Sequence, residues 1–212
     1  MSGNELNLNS FKKIIKEINI VLEKNKEYLS EMDSFTGDGD HGFTISKAFD
    51  SANNVILEKK PNTISELLKL IGNTLIINVG GSAGPIFGTF FKTMGDSIDE
   101  SLSSINIEDL KMMMSNGMNK VMDLGGAKPG DKTMIDTIVF AIKSLEKSCI
   151  NNEPFEEAIL KMINASKKGA YSTAEMIAKK GRAKTSGERS LGHIDPGAFS
   201  MFLIFSTFKE VL

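Results

Sequence analysis

The chain has 212 residues, 41% of them hydrophobic and 25% charged, with 25 basic against 27 acidic side chains and a net charge of −2. That composition can bury one large core, and with no basic stripe it excludes a nucleic-acid surface. The single cysteine, Cys149, excludes an intramolecular disulfide framework, and no apolar run approaches the roughly 18 residues of a membrane span. The N-terminus lacks the charged-then-apolar pattern of a secretory signal, so a cytoplasmic protein is expected.

Residues 8–32 predict a long amphipathic helix, with Phe11, Ile14, Ile15, Ile18, Val21, Leu22, Leu29 and Met32 at helical spacing. A turn at 33–42 follows, rich in Asp and Gly. A second helix is predicted over about 43–59, with Phe43, Ile45, Phe49 and Ile56 on its apolar face and Pro61 after its end. Thr63-Ile-Ser-Glu66 reads as a capping box, in which the Glu66 carboxylate returns a bond to the Thr63 amide. The third helix runs to about Asn78 and is so apolar at Leu75, Ile76 and Ile77 that it is expected to be central. Gly80-Gly-Ser-Ala-Gly-Pro85 breaks the chain before a buried helix over 86–97.

Asn106 is the expected N-cap of a fifth helix reaching about Leu124, with Glu108 and Asp109 in its first turn. A glycine-rich turn at 125–130 leads to a sixth helix over about 131–149, with Asp131 as its cap. Pro154 starts a seventh, expected to continue to about Lys180. A polar loop, Gly181 to Gly192, precedes a last helix that begins near Pro196. Period-two alternation is absent, so no strand is predicted. The expected architecture is all-α: one domain spanning 1–212, eight helices running up and down and antiparallel.

Glycine clusters fall at 37–42, 80–84, 125–130 and 187–197. These are the turns between helices 1 and 2, 3 and 4, 5 and 6, and 7 and 8. In an up-and-down bundle alternate turns share one end, so all four glycine-bearing turns belong together. One end of the bundle is therefore expected to expose backbone and carry a ligand.

The chemistry of each turn can be read separately. Asp33, Asp38 and Asp40 place three carboxylates within eight residues, a density that calls for a cation, and hard oxygen ligands suit magnesium or calcium. The spacing excludes an EF-hand, since the twelfth position from Asp38 is Phe49 rather than glutamate. The second turn opens onto a helix whose free amides favour phosphate, with the Ser82 hydroxyl beside them. Gly125-Gly-Ala-Lys-Pro-Gly-Asp-Lys-Thr133 resembles a P-loop superficially, but Asp131 separates glycine from Lys132 and no strand precedes it. The fourth turn carries Arg182, Arg189 and His193. An arginine there could stabilise charge on a transferring phosphoryl group, while Arg189 could instead pair with its neighbour Glu188.

Four stretches together carry a family resemblance. They are Asp33-x4-Asp38-Gly-Asp40-His-Gly42, Gly80-Gly-Ser-Ala-Gly-Pro-Ile-Phe-Gly-Thr-Phe-Phe91, Lys128-Pro-Gly-Asp-Lys-Thr-Met134, and Gly181-Arg-Ala183 with Gly187-Glu-Arg-Ser-Leu-Gly-His-Ile-Asp-Pro-Gly-Ala198. In order and over nearly the whole chain, they resemble the nucleotide-binding L subunit of dihydroxyacetone kinases. The resemblance implies an eight-helix barrel or bundle with ADP or ATP at one end. It implies two Mg2+ ions on Asp33, Asp38 and Asp40, with nucleotide contacts at His41, Gly42, Phe43, Thr44, Ser82, Ala83, Gly125, Met134, Arg182, Asp195, Pro196 and Gly197. Arg182 is the expected catalytic residue.

The partners implied are a K subunit that holds dihydroxyacetone and, for free-standing L subunits, a phosphohistidine protein of the phosphoenolpyruvate phosphotransferase system. A homodimer is one assembly compatible with the sequence; direct contact with nucleic acid or membrane is not expected. Two positions depart from the family pattern: Ala83 stands where a small hydroxyl residue is common, and Ala183-Lys-Thr-Ser186 stands where Ala-Ser-Tyr-Leu is common. Two other readings stay open at this point. One is an ATP-using kinase subunit for another triose or tetrose, the other a non-catalytic nucleotide-sensing module that regulates a partner.

Overall fold

The computed structural model describes residues 5–78, 81 and 83–212. Eight α-helices follow one another: α1 (Leu8–Ser34), α2 (His41–Lys59), α3 (Ile64–Asn78), α4 (Ala83–Asp96), α5 (Ile107–Gly125), α6 (Met134–Ile150), α7 (Phe155–Ser172) and α8 (Pro196–Ser206). Each helix packs on its successor, and α8 returns to α1 and also packs on α6. The all-α architecture is as expected, but it is a filled bundle and not a closed barrel. The reason lies in α8, whose Phe199, Met201, Leu203, Ile204 and Phe205 are all buried; a helix apolar on every side belongs inside.

Local chemistry sets the helix boundaries. Asn7 caps α1 and Asn106 caps α5, each accepting from the amide three residues on. Thr63 Oγ1 accepts from the Glu66 amide at 3.0 Å, but Glu66 returns its bond to the Asn62 amide at 2.8 Å, not to Thr63. The expected capping box is thus displaced by one residue. Pro85 does not break the chain, because it sits in the first turn of α4, where its missing N–H would have no helical partner. Pro154 is the N-cap residue of α7.

Four expectations need correction. Thr133, not Asp131, caps α6, accepting from Ile135 N while Asp136 returns a bond to the Thr133 amide. Helix α7 stops at Ser172, well short of Lys180. There the Ser172 and Thr173 hydroxyls bond back to the Gly169 and Ala170 carbonyls, and the Lys132 ammonium takes the Thr173 carbonyl at 2.5 Å. Phe43, Ile76 and Ile77 are not core residues; they are 52%, 37% and 79% exposed, the two isoleucines lying past the buried stripe of α3 that ends at Leu75. A two-residue antiparallel pair, Leu6–Asn7 (β1) with Ser104–Ile105 (β2), ties the start of α1 to the connection before α5. It is too short to leave an alternating pattern.

Close backbone approach pins α3 to α4. A Cβ on Gly72 would lie 2.6 Å from the Gly88 carbonyl, and a Cβ on Gly88 would lie 2.6 Å from the Gly72 carbonyl. No side chain fits between the two helices at that level. The seam fixes the register of α4 on α3.

Candidate functional site

The four glycine-bearing connections meet at one end and enclose a cavity of about 500 Å³. Odd-numbered helices end there and even-numbered helices begin there. The first turns of α2, α4, α6 and α8 all line the cavity, through His41 and Thr44, Ala83, Met134, and Pro196 and Gly197. Four positive helix ends therefore face one space, an arrangement that favours an anion. Their free amides are not equal. Helix α6 is capped by Thr133 and Asp136, and α8 by Asp195, which accepts from Ala198 N at 2.7 Å. The N-cap residue of α2, Asp40, makes no capping bond, but the first two amides of the helix are taken from α1: His41 N donates to the Asp33 carboxylate at 3.4 Å and Gly42 N to Ser30 Oγ at 3.1 Å.

The acidic turn folds around Asp33, in the last turn of α1. Its carbonyl accepts from Gly37 N at 2.6 Å and its carboxylate from Gly39 N at 2.9 Å. These bonds curl the chain so that Asp38 and Asp40 return over Asp33. One oxygen from each of the three carboxylates lies within 4.8 Å of the others. Burial, and then the neighbouring Asp38 charge, raises the Asp40 carboxyl above its ordinary value. Three converging carboxylates with mutual repulsion and hard oxygen donors fit a divalent cation of the magnesium type. Arg182 reaches across from the opposite wall and pairs with Asp38.

His41 follows immediately. Its Nε2 lies 2.8 Å from Ser200 Oγ on α8, and burial holds the imidazole down to about 4, so it is neutral near pH 7. Gly42 is buried against α1 and does not line the cavity; a Cβ there would sit 1.8 Å from the Lys26 carbonyl. Phe43 also lies outside the cavity, under the Lys26 ammonium at 5.8 Å. Ser82 lies outside the described residues, whereas Ala83 is on the wall.

Ile86, Phe87, Val121, Ala127 and Met134 make one side of the cavity apolar, with Gly125 at its edge. Arg182 also lines the cavity, on the segment that joins α7 to α8, and Lys180 of the same segment donates to the Gly125 carbonyl at 3.3 Å. Burial pushes the Asp195 carboxyl up to about 7, against the downward pull of the Ala198 N–H and the Lys132 charge. Arg189 is exposed and, among the described residues, forms no ion pair with Glu188. His193 stacks on Phe35 with ring centroids 4.4 Å apart.

Three residues of this end have structural roles that no sequence expectation assigned to them. Asp136 is buried and accepts from Gly130 N at 2.5 Å and Thr133 N at 2.8 Å, holding the third connection in shape. Its position three residues after Thr133 was a readable capping-box signal. Ser200 pairs with His41 across the bundle, a contact without a local signature. Lys132 is buried on the cavity wall, where a failed P-loop match gave no reason to place it.

Residues 35–210 match the DAK2 domain family. The chain is 36% identical over 205 residues to the ADP-binding subunit DhaL of PEP-dependent dihydroxyacetone kinase 2 from Listeria innocua, covering 95% of this chain and 94% of that protein. It is 37% identical over 188 residues to the corresponding subunit from Escherichia coli K12, covering 87% of each. Its fold matches the crystal structure of the dihydroxyacetone kinase from C. freundii in complex with AMP-PNP and Mg2+, with a TM-score of 0.72 and 26% identity. That match covers 94% of this chain and 33% of the solved one, so the chain spans about a third of that kinase's length. The chain belongs to the DAK2 domain family, and it aligns along most of its length with that family's free-standing ADP-binding DhaL subunits.

Proposed function

We propose that this chain is the nucleotide-binding subunit of a dihydroxyacetone kinase. It relays a phosphoryl group from a phosphohistidine protein of the phosphotransferase system, by way of tightly held ADP/ATP, to dihydroxyacetone on a separate K subunit. The observation that carries this reading is the convergence of Asp33, Asp38 and Asp40 at the mouth of a cavity ringed by four helix N-termini. Relatives of matching length named as PEP-dependent ADP-binding subunits support the choice of donor.

The three carboxylates would hold magnesium, two ions in the fullest reading. When bound, the metal neutralises phosphate charge and the nucleotide carries the group in transit. The start of α4 at Ala83 would supply backbone donors on the phosphate side, with the first turn of α2, from His41 to Thr44, beside it. The apolar wall of Ile86, Phe87, Val121 and Met134, with Gly125 at its edge, would take the base. Neutral His41, tied to Ser200, adds no charge beside the carboxylates. Arg182 would leave Asp38 for the transferring group and offset its charge. In bonding terms, a phosphohistidine N–P bond is exchanged for a P–O bond on the resident diphosphate. That P–O bond is then exchanged for one to a dihydroxyacetone hydroxyl, which gives up its proton.

Reconstitution tests the donor. The chain, a K subunit, dihydroxyacetone and a phosphohistidine donor should together form dihydroxyacetone phosphate, and free ATP should replace the donor poorly. Efficient turnover on ATP alone would mean an ordinary ATP-using subunit. Nucleotide binding without transfer in either mixture would leave only a sensing role.

A further inference from the structure

We propose that Lys132 is a positioning residue, whose buried ammonium staples both ends of the 173–193 segment and thereby holds Arg182 at the cavity mouth. This rests on the phosphoryl-transfer reading only for what Arg182 does once it is in place.

Lys132 is 1% exposed, a rare state for a lysine. Its Nζ donates to the Thr173 carbonyl at 2.5 Å and to the His193 carbonyl. Those two carbonyls stand at the two ends of the chain that joins α7 to α8. The first also stands at the C-terminal end of α7, where a cation is favoured, and it accepts from Met176 N as well, at 3.1 Å. Two further bonds close the same base: Gly192 N to the Ala174 carbonyl at 2.8 Å and Asp195 N to Thr173 Oγ1 at 2.9 Å. Beyond this base the segment also meets the third connection: the Lys179 backbone N–H donates to the Asp131 carbonyl at 3.2 Å, and the Lys179 and Lys180 ammonium groups donate to the Gly130 and Gly125 carbonyls, each at 3.3 Å. Further out, Arg182 pairs with Asp38 and Ser186 Oγ lies 3.5 Å from the Thr36 carbonyl, exposed contacts that contribute little.

The backbone at Lys132 argues that the side chain is needed there. Its φ is +62°, in the left-handed region, which a side chain disfavours and where glycine is the usual occupant. A lysine in that position turns its stem inward from the third connection. The charge is balanced by Asp195 and Asp136, which oppose the effect of burial on the ammonium. The staple thus joins the third connection to both ends of the fourth through one atom.

The test uses Lys132→Met in the full chain, with helical circular dichroism and a melting curve to establish that it folds. Trypsin reads the segment directly, since Lys179, Lys180, Arg182, Lys184 and Arg189 all lie in it. Cleavage at these sites should rise about tenfold or more over the parent, with other sites unchanged, as expected for a locally opened segment. In the reconstituted reaction, kcat should fall about tenfold with KM for nucleotide little changed. On an Arg182→Ala background the same substitution should cost nothing further, because coupled residues are not additive. Unchanged cleavage, or fully additive losses, would overturn the proposal. If Lys132→Met does not fold, amine acylation of the parent decides instead. Lys132 should stay unlabelled while Lys179, Lys180 and Lys184 react, and labelling at the same rate would overturn the staple. A parent that turns over no substrate would refute the functional reading, yet the digestion and labelling would still decide the staple.

Discussion

Arg182 pairs with Asp38 across the cavity mouth, joining the segment before α8 to the turn after α1. Both side chains are substantially solvated, at 63% and 39% exposure, so the pair itself adds little stability. Its significance is placement: the guanidinium stands beside the carboxylates proposed to hold the metal. Arg182→Ala should therefore lower turnover about 10²–10³-fold, in the range found for loss of one charge-stabilising donor. Nucleotide affinity should fall far less, as titration calorimetry would read. Equal losses in both would make Arg182 a binding residue only.

Asp38→Ala addresses the cation. Asp38 is exposed and caps no helix, so the variant should melt within a few degrees of the parent. Affinity for magnesium with ADP should drop about 100-fold or more, since one of three charged oxygen ligands is gone. Unchanged retention of nucleotide in the variant would contradict the metal assignment.

Gly42→Ala tests the packing beneath the site. The added methyl would collide with the Lys26 carbonyl and come within 2.9 Å of the Leu29 Cβ. Neither helix can move without displacing the acidic turn between them. A loss of about 3 kcal/mol is expected from backbone overpacking, measured as a shift in the urea midpoint. A neutral result would mean that α1 and α2 are further apart than described.

The pH dependence of stability should show two opposing slopes in metal-free buffer. His41 is held to about 4 in the fold, against roughly 6.5 in an unfolded chain. As pH falls through that window the unfolded chain takes up the proton first, so stability falls. Asp195 is pushed up to about 7, against roughly 3.9 unfolded. There the folded chain keeps the extra proton, so its contribution is full below pH 4 and is lost as pH rises to 7. The two offset each other between about 4 and 6.5. His41→Gln removes the first and should leave stability falling steadily from pH 4.5 to 7, followed by denaturant midpoints. A flat profile in that variant would show that Asp195 is ionised throughout.

Much of this organisation was legible in the chain. Helical periodicity and Gly or Pro punctuation placed all eight helices, and the alternation of turns put the four glycine clusters at one end. Asp33, Asp38 and Asp40 could be grouped because they are neighbours in sequence. What escaped was set by distant parts of the chain. The end of α7 depends on a carbonyl claimed by Lys132, forty-one positions earlier. Lys132 itself looked like any polar turn residue, since its burial exists only after three connections meet. Phe43 carried a helical apolar signal yet faces solvent, because periodicity gives a residue's face on its helix and not what lies opposite. The choice of Thr133 over Asp131 as cap needed the partner carboxylate of Asp136, which only the capping-box spacing reveals.

The central claim is that this cavity holds a magnesium–nucleotide complex as a resident coenzyme. The most direct measurement is to purify the protein without added nucleotide, dialyse it in magnesium buffer, denature it, and identify what is released. Near-stoichiometric ADP is the predicted result. An empty protein would contradict residence even if it then bound ATP reversibly, and one that also fails to take up ADP or ATP when magnesium is supplied would contradict the site itself.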